Sequence, residues 1–233
     1  MIWLLIQQIA AGVLLILLSP ILIVFLLAVW LEDKHFPLYM PYRIGMKGSL
    51  FKMIKLRTMF YGADKINIVA TAENDKRITR IGKIARKYKI DEFFQLFNVL
   101  KGDIALIGPR PQLISEYESF TKNEKHIVDV KPGISDFSSL FLSTMENFLA
   151  KHKDSYLAYH TFCRPIKSRL ALFYITHRSV WVDIQLLFYN FTNFISHKWT
   201  IKHMANMIVK LGDCGVPYDV LCGEKEPYPM DLP

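Results

Sequence analysis

Cysteine is scarce in this chain: Cys163, Cys214 and Cys222 are the only ones among 233 residues. An odd number without CxxC spacing excludes a disulfide framework and a cysteine-held zinc site, and fits thiols kept reduced in a cytoplasm. The phosphate loop GxxxxGK[ST], the dinucleotide fingerprint GxGxxG, the zinc helix HExxH and the hydrolase elbow GxSxG are all missing. The common soluble nucleotide-binding and hydrolase folds are therefore not indicated. His126, His152, His160 and His177 are scattered without ligand spacing, which suits surface or packing roles. No internal repeat occurs, and charge is absent altogether from Ile9 to Leu31.

That uncharged run is long enough to cross a bilayer core, which takes roughly 20 apolar residues. Met1 to Gln8 carries no Lys or Arg, so the basic start of a signal peptide is lacking. Lys34, His35, Arg43 and Lys47 follow the run and place the rest of the chain in the cytoplasm. Ser19-Pro20 falls near its middle. Proline removes a backbone donor and kinks a helix, and a serine hydroxyl can satisfy a freed carbonyl. A straight span and a bent helix that enters and leaves by one face are both compatible with this; on these residues alone the straight span leads.

Lys and Arg total 29 against 21 Asp and Glu, a formal charge of +8 that favours a polyanionic partner. With 52% hydrophobic residues, sixteen Phe, eleven Tyr and four Trp, the chain is closer to a protein that meets lipid than to a solvated nucleic-acid binder. Its length suits one catalytic domain, since single cores rarely grow beyond about 250 residues.

After the apolar run, Pro37, Pro41, Gly45 and Gly48 mark turns ahead of a strand at about 50 to 56, and 61 to 78 reads as a polar loop. Two short helices are predicted, at 81 to 88 and 91 to 100, the second with Phe93, Phe94, Leu96, Phe97 and Leu100 as apolar positions and Gly102-Asp103 as its stop. Ile104 to Ile107 suits a buried strand, followed by a rigid extended turn at Gly108-Pro109-Arg110-Pro111. Helices then dominate to about His197. Val180 to Ile195 reads as an interfacial amphipathic helix, with core packing an equal contender. Residues 201 to 233 lack clear periodicity, and the last ten are expected to be mobile.

Asp91-Glu92 follows Arg77, Arg80, Lys83, Arg86, Lys87 and Lys89, so two carboxylates stand beside many cations. Mg²⁺ takes one or two protein carboxylates plus phosphate oxygens, and a carboxylate can attack phosphorus to give an acyl phosphate. Acids in the first turn of a helix are also stabilised by its dipole, which accounts for the pair without any chemistry. Lys52, Lys55 and Arg57 suit phosphate contact or a solvated strand face. Arg110, fixed by two prolines, suits bidentate phosphate capture or a structural turn.

Several segments, in order, resemble one family: Phe51-Lys-Met-Ile-Lys-Leu-Arg-Thr-Met59, Asp75-Lys-Arg-Ile-Thr-Arg-Ile-Gly82, Asp91-Glu92 with Gln95 to Asp103, Gly108-Pro109-Arg110-Pro111, and Lys131-Pro132-Gly133-Ile134. Together they span about 48 to 135 and are similar to the bacterial sugar transferases, also called monotopic polyprenyl-phosphate phosphoglycosyl transferases. The run with Ser19-Pro20 resembles that family's re-entrant membrane helix, and Arg178-Ser179 with Asp183 resembles its closing helix more weakly.

The resemblance implies that Asp91 attacks the β-phosphorus of a UDP-sugar, releases UMP and holds the phosphosugar covalently until polyprenyl (undecaprenyl) phosphate takes it, as the first membrane step of bacterial glycan assembly. It implies Mg²⁺ on Glu92 with Asp91. Arg86 would contact substrate phosphate, with Lys55, Arg57 and Arg80 as further candidates, and Pro109-Arg110-Pro111 would shape the site at the inner face of the cytoplasmic membrane. Phe94 stands where the family usually has proline, Ser135-Asp136-Phe137-Ser138-Ser139 replaces the commoner Thr-Gly continuation, and no cation precedes the membrane helix.

The expected fold is therefore a helix-dominated α/β catalytic domain associated with the membrane: a re-entrant helix over 1–31, a transferase domain over 32–200 with interfacial amphipathic helices, and an extension over 201–233. The partners are UDP-sugar, polyprenyl phosphate and membrane lipid. A noncatalytic membrane-tethered scaffold or anionic-lipid-binding protein is the rival reading. A nucleic-acid binder ranks far behind, because no recognition motif occurs.

Overall fold

The computed structural model describes residues 2–63, 75–152 and 154–233. Helix α1 (Ile2–Asp33) is, among the described residues, the one helix long and apolar enough to cross a bilayer. At 1.5 Å per residue it is about 48 Å long. It runs on through Pro20 without interruption. Pro20 has no N–H for the carbonyl of Ile16, and the Ser19 hydroxyl donates to that same oxygen at 2.7 Å. The repair expected of a serine beside a proline is therefore made.

Because α1 is apolar on every face between Ile9 and Leu31, its sequence does not show which face packs. Gln7, Ala11, Leu15, Leu22 and Val29 form the buried stripe, at spacings that keep them on one side of a helix. Both ends are tied to the rest of the protein. Near the start, Trp3 Nε1–H donates to Asp183 at 2.6 Å, Gln7 Oε1 accepts from Leu106 N–H at 2.8 Å, and Gln8 donates to the Leu100 carbonyl. At the far end Glu32 accepts from the N–H groups of Arg80 and Ile81, and Asp33 pairs with Arg57.

Strands β1 (Leu38–Tyr39), β2 (Tyr42–Ile44), β3 (Leu50–Lys52) and β4 (Lys55–Leu56) form two antiparallel pairs, β2 with β3 and β1 with β4. The single strand expected at 50 to 56 is broken in the middle. Met53 N–H donates to the Pro41 carbonyl and Ile54 N–H to Asn98 Oδ1, so neither joins the ladder. Most of the loop expected at 61 to 78 lies outside the described residues.

Helices α2 (Arg80–Lys87), α3 (Ile90–Phe93) and α4 (Leu96–Lys101) follow. The second predicted helix is thus two. Gln95 N–H bonds the Glu92 carbonyl and Phe97 N–H the Phe94 carbonyl, tight three-residue steps that pinch the helix and turn its inward face. Phe94 and Leu96 are buried as expected, but Phe97 and Leu100 are exposed, and Asn98 and Val99 point inward instead. Gly102, at φ +81°, stops α4 in the left-handed conformation that glycine adopts freely.

Strand β5 (Ala105–Ile107) is buried throughout; after α5 (Ile114–Glu118), β6 (Gly133–Ser135) returns parallel to it, Ala105 opposite Gly133 and Ile107 opposite Ser135. The helices α6 (Phe137–Ala150), α7 (Ser155–Ala158), α8 (Arg164–His177), α9 (Val180–Asn193), α10 (His197–Leu211) and α11 (Tyr218–Leu221) complete the chain.

Two apolar clusters result. One joins α1 to α2, α3, α4, β4 and β5 through Leu22, Leu56, Phe94, Val99 and Ile104; the other holds α6, α8, α9 and α10 together through Phe137, Phe141, Leu170, Leu186 and Met204. Phe94, in the place of the family's proline, is a core residue only 1% exposed. In the extension expected over 201–233, Ile201, Met204, Ala205 and Ile208 bury one face of α10 in the second cluster. The final segment lacks regular structure but is held. Thr121 donates to the Pro233 carbonyl, Arg169 to the Asp231 carbonyl, and Lys151 pairs with Glu226. Helix α9 has two apolar faces, with Val182, Leu186 and Tyr189 buried in the core and Trp181, Ile184, Phe188 and Phe191 exposed.

Asn98 is the stitch between α4 and the strands: it accepts from Ile54 N–H and donates to the Lys52 carbonyl and to Asp103. Asn98→Ala leaves the Ile54 N–H buried without an acceptor and lowers stability by roughly 2–4 kcal/mol. Thermal unfolding in detergent micelles checks this; an unchanged midpoint would assign the strand break to other contacts.

Candidate active site

Two close backbone approaches and one left-handed residue set the geometry. Gly82 lies so near the strand end that a Cβ there would stand 2.0 Å from the Thr58 carbonyl oxygen, and Thr79 N–H donates to that oxygen. Helix α2 is thereby pressed onto Thr58, whose hydroxyl accepts from Arg86 Nε at 2.8 Å. Lys89, at φ +54°, reverses the chain so that α3 opens with Asp91 and Glu92.

The second approach is the crossing of Gly108 and Gly133. A Cβ on Gly133 would meet Gly108 N at 2.1 Å, and one on Gly108 would meet the Lys131 carbonyl at 2.7 Å. Gly108 N–H donates to Ser135 and Gly133 N–H to Pro109, which pins the Pro109-Arg110-Pro111 turn to the end of β5 and β6.

Arg110 reaches from this turn to Glu92, with Nη2 2.6 Å from Oε1 and Nη1 3.4 Å from Oε2, and Lys55 Nζ approaches Oε1 at 3.5 Å. Burial works against the charge on Glu92, but Arg110 and Lys55 outweigh it and hold the carboxyl down at about 2. The same pair raises Arg110, while burial lowers Lys55 in spite of Glu92.

Asp91 is displaced the other way. Burial raises its pKa and the neighbouring Glu92 charge adds to that, against the pull of Lys55 and Arg86. Among the described residues Asp91 makes no ion pair within 4.0 Å, whereas Glu92 is committed to two cations.

The predicted site residues divide accordingly. Asp91, Glu92, Lys55 and Arg110 meet; Arg86 stands on the Asp91 side, and Pro109 and Pro111 frame Arg110. Arg57 goes elsewhere: its guanidinium holds Asp33 at 2.6 and 2.7 Å and donates to the carbonyls of His35, Phe36 and Met59, clamping the end of α1. Arg80 opens α2 with an exposed side chain, its N–H on Glu32. Ser19 and Pro20 lie within α1, apart from the carboxylates.

A buried support behind the turn was not foreseen. Gln112 donates to the Arg110 carbonyl and accepts from Lys167 Nζ at 3.0 Å; Lys167 also donates to Tyr159 at 3.0 Å and lies 3.6 Å from Glu116. Burial disfavours the Lys167 charge, but Tyr159 and Glu116 more than restore it. Asp136 caps α6, accepting from the hydroxyls of Ser138 and Ser139 and from Ser139 N–H, which gives the atypical Ser135-to-Ser139 stretch a structural use. Its burial raises its pKa although Ser139, Ser138 and Arg110 oppose the shift. The capping pattern was open to reading; a lysine on the inner face of α8 carried no such signal.

No group of three or more His, Cys, Asp or Glu is gathered as a metal cage among the described residues. Two adjacent carboxylates still offer hard oxygen donors, and a carboxylate bonded to arginine keeps lone pairs for a cation. The donor set thus fits an ion such as Mg²⁺ that completes its shell with phosphate and water.

Known proteins resemble this chain over most of its length. It is 30% identical over 184 residues to the UDP-N-acetylgalactosamine-undecaprenyl-phosphate N-acetylgalactosaminephosphotransferase of Aeromonas hydrophila, covering 77% of this chain and 40% of that protein. It is 31% identical over 183 residues to the UDP-glucose:undecaprenyl-phosphate glucose-1-phosphate transferase of Klebsiella pneumoniae, covering 77% and 37%. It is 32% identical over 143 residues to the undecaprenyl-phosphate galactose phosphotransferase of Salmonella typhimurium, covering 55% and 30%. The matched region is therefore well under half of each of these relatives. The sequence model described as bacterial sugar transferase matches residues 2–197, a span that includes the acidic pair, the Pro-Arg-Pro turn and α1, and the chain belongs to that family.

Proposed function

We propose that this protein transfers a sugar 1-phosphate from a UDP-sugar to polyprenyl phosphate, with Asp91 as nucleophile. The observation that carries the reading is the asymmetry of the two neighbouring carboxylates. Environments that push adjacent acids apart assign them separate tasks. Glu92, held ionised by Arg110 and Lys55, is the fixed charge of the site; Asp91, with no ion pair among the described residues, is the one with an oxygen to spare. A noncatalytic scaffold has no use for this division.

In the first step an Asp91 oxygen bonds to the phosphorus bearing the sugar, and the bond from that phosphorus to the bridging oxygen breaks, its electron pair leaving with UMP. In the second, a phosphate oxygen of the lipid attacks the same phosphorus and the Asp91 carboxylate departs. Lys55, Arg86 and Arg110 neutralise phosphate charge and orient the diphosphate, the positioning on which phosphoryl transfer chiefly relies. Glu92 with Asp91 would hold Mg²⁺, which when bound neutralises charge on the phosphate oxygens. The three relatives named above carry different sugars, so what comes across to this chain is the transfer of a phosphosugar to undecaprenyl phosphate.

The membrane geometry belongs to the same proposal. Both ends of α1 bond to one body, and its outward residues, among them Ile9, Val13, Ile16, Leu17 and Val24, are exposed and apolar. A re-entrant helix, with the exposed apolar face of α9 beside it at the inner leaflet of the cytoplasmic membrane, accounts for this arrangement better than a straight span does.

Asp91→Asn is expected to fold and to stay on the membrane but to lose UMP release by on the order of a thousandfold or more. It should also lose the phosphosugar adduct that mass spectrometry finds on the Asp91 peptide; undiminished turnover would remove Asp91 as nucleophile. The reacting form is the ionised carboxylate, and burial raises its pKa, so the rate falls on acidification at a pH above the ordinary aspartate value of about 3.9. Lys55 favours that ionised form, so Lys55→Met moves the acid limb upward; a limb that stays put belongs to another group. Cysteines placed at Ile2 and at Lys34 should both be labelled by an impermeant maleimide only from the cytoplasmic side. Labelling of the first from outside would sink the re-entrant arrangement.

A further inference from the structure

Arg43 is the cation that the reading so far leaves without a task. It sits on β2 opposite Phe51, and its neighbour Ile44 donates to the Gln112 carbonyl, which lays β2 against the turn that carries Arg110. Its side chain is largely buried, and among the described residues Nε has no hydrogen-bond acceptor. Orphaned buried donors cost about 1–3 kcal/mol and are rare in folded proteins.

The electrostatic surroundings sharpen the anomaly. Burial lowers the pKa of Arg43, and the charges that act on it include Glu116 and, unfavourably, Arg110; Lys55 in turn is disfavoured by both Arg110 and Arg43. Glu116, the carboxylate that favours the Arg43 charge, already faces Lys167. Arg43 and Lys55, both disfavoured by burial, thus stand beside Arg110, whose charge Glu92 already matches. A desolvated cation with an unanswered donor is unfavourable unless an anion completes it.

We propose that Arg43 is a substrate-binding residue which, with Lys55 and Arg110, forms a phosphate subsite on the Glu92 side of the carboxylate pair. The missing partner is an anion with several acceptor oxygens, and a planar guanidinium suits phosphate better than an ammonium does. The phosphate belongs either to the diphosphate of the nucleotide donor or to the lipid acceptor. This identity of the ligands rests on the transferase reading; the subsite itself rests on the buried cations.

The test uses the full chain in nanodiscs, with Arg43→Gln, Arg43→Lys and Glu116→Gln beside the unaltered protein. Steady-state UMP release gives KM separately for UDP-sugar and for undecaprenyl phosphate, and calorimetry gives the affinity for inorganic pyrophosphate without any turnover. Arg43→Gln is expected to raise one of the two KM values about tenfold and to weaken pyrophosphate binding similarly, with its melting temperature unchanged and with partial recovery in Arg43→Lys. A rise in the UDP-sugar KM places the donor diphosphate there, and a rise in the lipid KM places the acceptor phosphate. Unchanged KM values and unchanged pyrophosphate affinity overturn the proposal, as does Glu116→Gln reproducing the whole effect, which would make Arg43 a structural partner of that acid. Should no UDP-sugar turn over at all, the transferase reading falls, and pyrophosphate binding by unaltered protein and Arg43→Gln still decides for or against the subsite. If Arg43→Gln does not fold, the same measurements on Arg43→Lys decide.

Discussion

The contact between Glu92 and Arg110 joins two parts of the chain that arrive by separate routes, one from the α2–α3 reversal and one from the parallel pair β5–β6. Charged groups withdrawn from water stay ionised only if their partners are placed correctly, so the surrounding structure is largely given over to placement. The glycine crossing fixes the backbone of the Pro-Arg-Pro turn; Gln112 and the Lys167, Tyr159 and Glu116 group hold it from behind; Asn98 binds the chain between β3 and β4 just ahead of Lys55. Remove any of these and the site does not lose a reacting group, but the groups lose their common centre.

Much of this was written locally and could be read. Pro109 and Pro111 restrict their own dihedrals and those before them, Gly102 marks a left-handed stop, and four apolar residues from Ile104 make a buried strand whatever surrounds them. The acidic pair was visible as well, because its meaning depends on adjacent residues.

What could not be read was assignment between distant parts. Lys55 and Arg57 stand two apart and look equivalent, yet the first turns to Glu92 and the second, just past the end of β4, to Asp33 at the end of α1. Helix α10 hid its periodicity because Met204, Ala205 and Met207 among histidines and lysines give a weak contrast, although burial makes the stripe plain. In α1 the difficulty was reversed: from Ile9 to Leu31 nearly every position is apolar, so no stripe stands out until the body chooses one.

The hydrogen bond from Trp3 to Asp183 has a mechanical meaning. Asp183 also accepts from the Tyr174 hydroxyl at 2.7 Å, and that hydroxyl lies 3.4 Å from the carbonyl of Ile107, the last residue of β5 before the glycine crossing. The start of the apolar helix is thus linked through two side chains to the strand that leads into the Arg110 turn. The same few hydrogen bonds that seat the first turn of α1 therefore also fix where β5 ends, so the helix and the turn share one foundation.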